Sequence, residues 1–375
     1  MNKKMPIIAI CYDFDKTLTP DDMQAQGFIQ SVENDVEEFW KKSNSLAKEN
    51  NMDQNLAYMF QMSDESTGRL WITKKSLEEY GEKIKYFPGV DTWFKRMNVY
   101  GEKKGVVIEH YVISSGLKEM IDGTSIANEF KRIYACSFYY GPKGNALWPA
   151  QSVNYTNKTQ YLFRIEKGTL DVYDQRVNDH FQSSEIRIPF SNMVYIGDSD
   201  TDVPCMKVVD EYGGYSIGVY DPDINDKSKV LKIYKDGRIK LFAPAIYEKN
   251  SELEKMVKAI IDKIAASDPV NKFYQKCQKE AMDDSRTEEQ IQQDILISKL
   301  EESDSFARTH SIIKECVKYD NWTKDRVTRL CIIAQQNSQI SSIISDNDIK
   351  LFYRKIIASA GTKTEPLKNV WDKIS

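Results

Sequence analysis

Histidine is scarce in this chain. It occurs three times in 375 residues, as His110, His180 and His310, with no neighbouring ligand pattern. That scarcity argues against a Ser-His-Asp hydrolase and against a metal site built on imidazole. The six cysteines, Cys11, Cys136, Cys205, Cys277, Cys316 and Cys331, include no Cys-x-x-Cys pair. They read as reduced thiols of a cytoplasmic protein, not as a disulfide framework or a zinc site. No apolar run approaches the roughly 20 residues that a membrane-spanning helix needs. The first apolar run, Ile7 to Ile10, is too short for a signal peptide. Neither sign of charge dominates: 52 basic and 56 acidic residues leave a net charge of -4 and a pI near 5.7. A broad nucleic-acid or membrane-binding face is not expected from that balance.

What the chain does have is aspartate in particular places. Ile7-Ile8-Ala9-Ile10 is short and apolar, as a buried strand of a parallel sheet should be. It leads into Cys11-Tyr12-Asp13-Phe14-Asp15-Lys16-Thr17-Leu18-Thr19. Successive strand residues alternate faces, so Asp13 and Asp15 share one side, at the carboxyl end where open α/β sheets bind ligands. Met193-Val194-Tyr195-Ile196 leads in the same way into Gly197-Asp198-Ser199-Asp200-Thr201-Asp202. Asp198 and Asp202 are expected to face one pocket from that corner. A third strand, Tyr111-Val112-Ile113, ends in Ser114-Ser115-Gly116, with hydroxyl and backbone donors at its tip. Lys158 stands between these motifs, just ahead of a helix-like stretch. Carboxylates gathered this closely repel one another and any anionic substrate, so they call for a divalent cation and a nearby lysine. Oxygen ligands without Cys or His suit Mg2+ and are poor for zinc.

Asp-x-Asp-x-Thr, then Ser, then Lys, then Gly-Asp-x-x-x-Asp is a specific ordered set, and over roughly residues 5 to 260 it resembles the haloacid dehalogenase superfamily. Within that superfamily it is similar to the phosphoserine-phosphatase-like branch with a helical cap. The resemblance implies a Mg2+-dependent phosphomonoester hydrolase acting through an aspartyl-phosphate. Asp13 would be the nucleophile, and Asp15 would protonate the leaving oxygen and later deprotonate water. Ser114, the backbone of Ser115 and Lys158 would hold the phosphoryl oxygens. Asp13 and Asp198 would ligate Mg2+ through carboxylates, Asp15 through its backbone carbonyl, and Asp202 directly or through the metal's waters. Thr17 would hold Asp15 in orientation. The acid at Asp15 separates the chain from the superfamily's dehalogenases, and Lys16-Thr17-Leu18-Thr19 departs from the transport-ATPase continuation. Residues that would recognise the serine part of phosphoserine do not stand out in Thr19-Pro20-Asp21-Asp22-Met23-Gln24, so the substrate stays open.

The length predicts two or three domains. The fold class expected is α/β: a Rossmann-like core with a parallel sheet, an inserted helical cap and an extra all-helical C-terminal domain. The core takes residues 1-19 and 89-266, the cap 20-88 and the helical domain 270-375. Apolar stripes at helical spacing mark the cap: Val36, Phe39 and Trp40 after an Asn34 N-cap, then Leu56, Met59 and Phe60, then Leu77, Tyr80, Ile84 and Phe87. Its two connections, Thr19-Pro20 and Pro88-Gly89, lie close together and predict a hinge over Asp13. Further helices are expected over Leu117 to Phe130 and Val172 to Phe181, with a linker at Ser267-Asp268-Pro269. Beyond it, Ile291, Ile295, Ile312, Ile313, Val317, Val327 and Leu330 keep helical spacing. The partners expected are a small phosphomonoester and, through 270-375, another protein or a second copy, but no membrane and no nucleic acid. Two other functions fit the same residues: a phosphotransferase, and a regulatory protein whose C-terminal helices are its binding module.

Overall fold

The computed structural model describes residues 5–32, 35–68, 70–181, 185–283, 286–361 and 364–375. Seven strands form one sheet: β1 (Ile7–Tyr12), β2 (Val107–Leu117), β3 (Phe130–Tyr140), β4 (Ala146–Gln151), β5 (Met193–Gly197), β6 (Tyr215–Tyr220) and β7 (Leu241–Pro244). Their order is β4-β3-β2-β1-β5-β6-β7, and every pair is parallel except β3 with β4. β1 lies at the centre, with Ile7 opposite Val107 of β2 and Ala9 opposite Met193 of β5. Covered on both faces, β1 and β5 are apolar runs without alternation, and β5 is buried throughout. The chain builds outward from β1 through β2 and β3, then returns to the other side at β5. The direction of winding therefore switches between β1 and β5, and the crevice at such a switch is where doubly wound sheets bind ligands.

Between β1 and β2 the chain forms α1 (Phe28–Ser31), α2 (Val36–Glu49), α3 (Gln54–Ser66) and α4 (Lys74–Gly81), followed by α5 (Val90–Lys103). Asp35 caps α2 by accepting from the amides of Glu37 and Glu38. Asn34, expected as that cap, lies outside the described residues. Asp53 caps α3, and Thr73 with Ser76 closes a capping box on α4. Later come α6 (Lys118–Asp122), α7 (Lys158–Lys167), α8 (Val203–Glu211), α9 (Ser228–Lys235) and α10 (Glu252–Asp283).

Three expectations differ from the structure. The stretch Leu117 to Phe130 holds only the short α6 and a 3-10 turn, because β2 runs on to Leu117. Val172 to Phe181 is a loop with one 3-10 turn at Gln175–Asn178. Two cations of α7 take the carbonyls that a helix would need: Arg164 donates to Asp171, Val172 and Asp174, and Lys167 to Val177 and Asp179. Ser267-Asp268-Pro269 lies inside α10 and not in a linker. That helix is anchored by buried Leu253, Val257, Ile260, Ile261 and Ile264, upstream of the proline.

The chain forms two compact units, Met1–Val270 and Asn271–Ser375. In the first, the insert has no separate core. Phe39, Tyr58, Met59 and Met62 belong to the same buried cluster as the strands. Polar contacts reinforce it: Asn55 Nδ2 donates to the Val153 carbonyl at 2.6 Å, Ser152 Oγ to Asp53 at 3.1 Å, and the Ala146 amide to Ile72 at 2.8 Å. A hinge at Thr19-Pro20 and Pro88-Gly89 would have to break these contacts. Phe60, read as part of the buried stripe, is exposed.

The second unit is all helical. It contains α11 (Glu288–Glu301), α12 (Phe306–Cys316), α13 (Lys324–Gln336), α14 (Ser338–Ile343), α15 (Asn347–Ala360) and α16 (Glu365–Ile374). Leu300, Ile313, Leu330, Tyr353, Ile357 and Val370 lie in a core of its own. Ile295 and Val317, counted as apolar stripe positions, are exposed.

Beneath β1 a chain of hydrogen bonds runs through the first unit's core. Trp93 Nε1 donates to the Tyr12 hydroxyl at 2.8 Å, and that hydroxyl meets His110 Nδ1 at 3.0 Å. His110 Nε2 meets Asn98 Oδ1 at 2.9 Å. A neutral imidazole protonated at Nε2 satisfies every member. Burial pushes the His110 pKa from 6.5 down to about 3. Between those values the unfolded chain binds a proton that folded His110 refuses, so acidification lowers stability by about 1.4 kcal/mol per pH unit. His110→Phe removes this contribution. Urea unfolding should show the variant losing stability less steeply than wild type between about pH 7 and pH 5. Equal slopes would show that His110 does not stay neutral.

Candidate active site

The switch point brings the sequence-selected acids together. Asp13 follows β1, and its amide donates to the Ile196 carbonyl at 3.0 Å, carrying the β1–β5 ladder one residue beyond the strand. Carboxylate oxygens of Asp13, Asp198 and Asp202 lie within 4.8 Å of one another. Lys158, the first residue of α7, is fully buried among them. Its Nζ is 3.1 Å from Asp13 Oδ1 and 2.8 Å from Asp202 Oδ1. Asp202 also accepts from the Tyr195 hydroxyl at 2.9 Å and from Ser199 Oγ at 2.9 Å.

Asp15 turns its carboxylate elsewhere. Its Oδ1 accepts the Met23 amide at 2.8 Å, so the insert's entry holds it, while its Oδ2 lies beside Gly116. A Cβ on Gly116 would stand 2.1 Å from Met23 Cε and 2.9 Å from that oxygen, so a side chain there would displace Met23 and Asp15. Ser114 Oγ accepts the Gly116 amide at 3.0 Å, and β2 loses its regular register with β3 between Ile113 and Leu117. Thr17 differs from expectation. Its hydroxyl donates to Asp198 Oδ1 at 3.4 Å and not to Asp15.

Asp13, Asp15, Ser114, Ser115, Lys158 and Asp198 all line one cavity of about 770 Å³. Asp202, fully buried, lies behind it and reaches the cavity through Lys158. Sequence reasoning missed several residues that shape this site. The Tyr58 hydroxyl, from the insert, donates to the Ser115 carbonyl at 2.8 Å, and Cys136 Sγ approaches the same oxygen at 3.3 Å. Tyr247 donates to the Thr17 carbonyl at 2.8 Å, and Lys229 sits 3.4 Å from Asp198. Ser199 could have been found, since it stands inside the Gly-Asp-Ser-Asp motif. Tyr58, Cys136 and Tyr247 are far from every motif and carry no local signal.

Charge in the cavity follows from burial. Burial, and after it repulsion from Asp202, pushes the Asp13 carboxyl up to about 7 despite Lys158. The same two causes lift Asp198 to about 6. Burial, with Asp22 and Asp13 adding to it, holds Asp15 well above the carboxylate range. For Lys158 burial opposes the charge, but Asp13 and Asp202 override it and keep the ammonium above the lysine range. The donor set fits a hard divalent cation: three carboxylates converge, all ligands are oxygen, and the acids lack enough cationic charge to ionise together.

The model of the haloacid dehalogenase-like hydrolases matches residues 10–207, more than half of the 375. The chain belongs to that family. An uncharacterized protein of Borreliella burgdorferi is 29% identical over 286 residues, covering 68% of this chain and 96% of its own length. A solved family hydrolase from Salmonella enterica serovar Typhi is 18% identical, covers 64% of this chain and 68% of its own, and has a TM-score of 0.42. A substrate-bound phosphoserine phosphatase is 16% identical with a TM-score of 0.42, covering 69% of this chain and 99% of its own. A probable phosphoserine phosphatase from Vibrio cholerae is 10% identical with a TM-score of 0.45, covering 70% and 67%.

Lys158 keeps two buried carboxylates together, so its removal should cost more than the removal of either acid. Lys158→Met is expected to lose about 3–5 kcal/mol of stability, the usual loss when one partner of a buried pair is taken away. Asp202→Asn keeps the hydrogen-bonding shape and should lose less. Urea denaturation of both variants checks this order, and a Lys158→Met loss under about 1 kcal/mol would contradict it.

Proposed function

We propose that this protein is a Mg2+-dependent phosphomonoesterase that works through an aspartyl-phosphate on Asp13. The observation that carries the reading is the division of labour between the two acids of one motif. Asp13 lies against Lys158 with the other carboxylates, whereas Asp15, two residues on, is turned away from them and held by the Met23 amide. Asp13 and Asp198 would hold the ion with Asp202 behind them and the Asp15 carbonyl beside them. Bound there, Mg2+ supplies the positive charge that offsets repulsion between these acids and a phosphate dianion.

Each remaining step belongs to the chain's own groups. A carboxylate oxygen of Asp13 attacks phosphorus, and the P–O bond to the alcohol breaks. Asp15 gives its proton to the departing oxygen. Lys158 and Ser114, with the backbone at Ser115, hold the equatorial oxygens as charge shifts between them. In the second step Asp15 takes a proton from water, which attacks the aspartyl-phosphate and frees Asp13. Asp13 is buried and Asp15 half-buried, which limits the access of bulk water to the acids that do this work.

The same reading assigns residues 1-19 and 89-266 to the catalytic core, 20-88 to the cap and 270-375 to contact with another protein or a second subunit. What supports the last is an apolar core of its own. Six free thiols fit a cytoplasmic setting.

EDTA should abolish hydrolysis of para-nitrophenyl phosphate and Mg2+ should restore it. Asp13→Asn should keep the native circular dichroism and lose activity by a factor on the order of 10^3 or more. Full turnover by that variant would remove the covalent mechanism. Asp15 is tested through the leaving group. Asp15→Asn should slow hydrolysis of an alkyl phosphate by about 100- to 10,000-fold, and of the nitrophenyl ester far less, since nitrophenolate leaves without a proton. Equal losses on both esters would make Asp15 structural.

A further inference from the structure

The cavity has a second wall besides the acids, and on the phosphatase reading it is the part left for the alcohol half of a substrate. It comes mainly from the end of α2 and the start of α3, where Asn44, Lys48, Met52 and Gln54 line the space. Asn44 and Lys48 are one helical turn apart and therefore share a face. Neither side chain has a hydrogen bond or ion pair among the described residues, and both are exposed to the cavity's solvent.

Every other cation lining the cavity has an ion-pair partner. Lys158 pairs with Asp13 and Asp202, Lys229 with Asp198, and Lys16 with Asp22 at 2.8 Å. Asp53 is taken up by its cap on α3, by Ser152 Oγ and by the Asn154 amide. Asp15 is held by Met23. Among the described residues, Lys48 is then the one cation lining the cavity without an ion pair, with an amide beside it, while Asp53 on the same wall has both carboxylate oxygens taken by hydrogen bonds.

We propose, on the phosphatase reading above, that Lys48 and Asn44 receive a carboxylate on the leaving alcohol, so that the substrates are phosphorylated hydroxy acids. One ammonium balances one negative charge, and the amide can donate to the second carboxylate oxygen. A second phosphate dianion would keep one charge uncompensated. A substrate ammonium group, as in a phosphorylated amino acid, meets on this wall only Asp53, whose two oxygens already accept hydrogen bonds. A neutral polyol leaves Lys48 without a partner and gains nothing from it.

Three esters on one carbon skeleton separate these cases. 3-Phosphoglycerate carries a carboxylate and a hydroxyl, O-phosphoserine replaces the hydroxyl with an ammonium, and glycerol 3-phosphate replaces the carboxylate with a hydroxymethyl group. With Mg2+ and the full chain, kcat/KM should be highest for 3-phosphoglycerate, at least about tenfold above glycerol 3-phosphate. Lys48→Gln should bring that ratio close to one, and Lys48→Glu should take it below one. Lys75→Gln, on α4 outside the cavity, should keep the wild-type ratio. A wild-type ratio near one, or Lys48 variants that retain the wild-type ratio, would overturn the subsite. A preference for O-phosphoserine over 3-phosphoglycerate would overturn the hydroxy-acid class. Mg2+-dependent hydrolysis of para-nitrophenyl phosphate without selectivity among the three defeats this proposal alone. No Mg2+-dependent hydrolysis of any ester defeats the phosphatase reading and this proposal together.

Discussion

The ion-bridged contact of Lys158 with Asp13 and Asp202 is the constraint on which this site depends. Taking charges out of water is costly, and a lone ammonium at the depth of Lys158 would lose its proton without partners. Asp13, just past β1, and Asp202, just before α8, would repel each other without it. The arrangement therefore requires α7 to begin at one point in space. The loop before it is built to that end. Asn154 accepts from the amides of Thr156 and Asn157 through its side chain and from Lys158 through its carbonyl, so the turn is set before the helix starts. On the other side, the space at Gly197 is filled by Asp202, whose carboxylate would lie 2.6 Å from an added Cβ. Strand ends, glycine and lysine form a single packing solution.

The convergence of the acids was legible because it depends on short motifs at strand ends, and those strands are apolar on both faces. Asp13, Asp15, Ser114 and Asp198 could be placed from the runs before them, since a central parallel strand admits few other readings. Lys158 was legible only by its order among the motifs. What escaped was whatever depends on atoms distant in sequence. Thr17 bonds to Asp198, 181 residues away, and Tyr58 reaches Ser115 across 57. The helix expected over Val172 to Phe181 failed for a similar reason. Its periodicity was adequate, but Arg164 and Lys167 claim its carbonyls, and a propensity argument does not see side chains from another helix.

Periodicity also separates burial from helicity less well than it finds helices. In the second unit the helices are where apolar spacing put them, yet Ile295 and Val317 are exposed while Gln293 is wholly buried. A stripe fixes which face is apolar on average; the packing of six short helices decides which members of it are covered. The linker expected at Ser267-Asp268-Pro269 shows the same limit. A proline marks a preferred break, but α10 is nucleated at Ser251, whose hydroxyl accepts the Glu254 amide at 3.1 Å, and it continues through the proline.

The insert joins two functions that a hinged cap would keep apart. Its α3 supplies Tyr58, which donates to the carbonyl of Ser115, and its α2 lines the same cavity through Asn44 and Lys48. Both helices share one buried core with the sheet. A rotation of the insert large enough to open the cavity would therefore withdraw the hydrogen bond from Tyr58 to the Ser115 carbonyl. The cavity does not need such a rotation for entry, because its rim residues Lys16, Lys48, Gln54 and Tyr155 are exposed as the chain stands. On the proposed phosphatase reading, selection among alcohols would fall to the charge and shape of the wall that Asn44 and Lys48 line, with the phosphate end held the same for all of them.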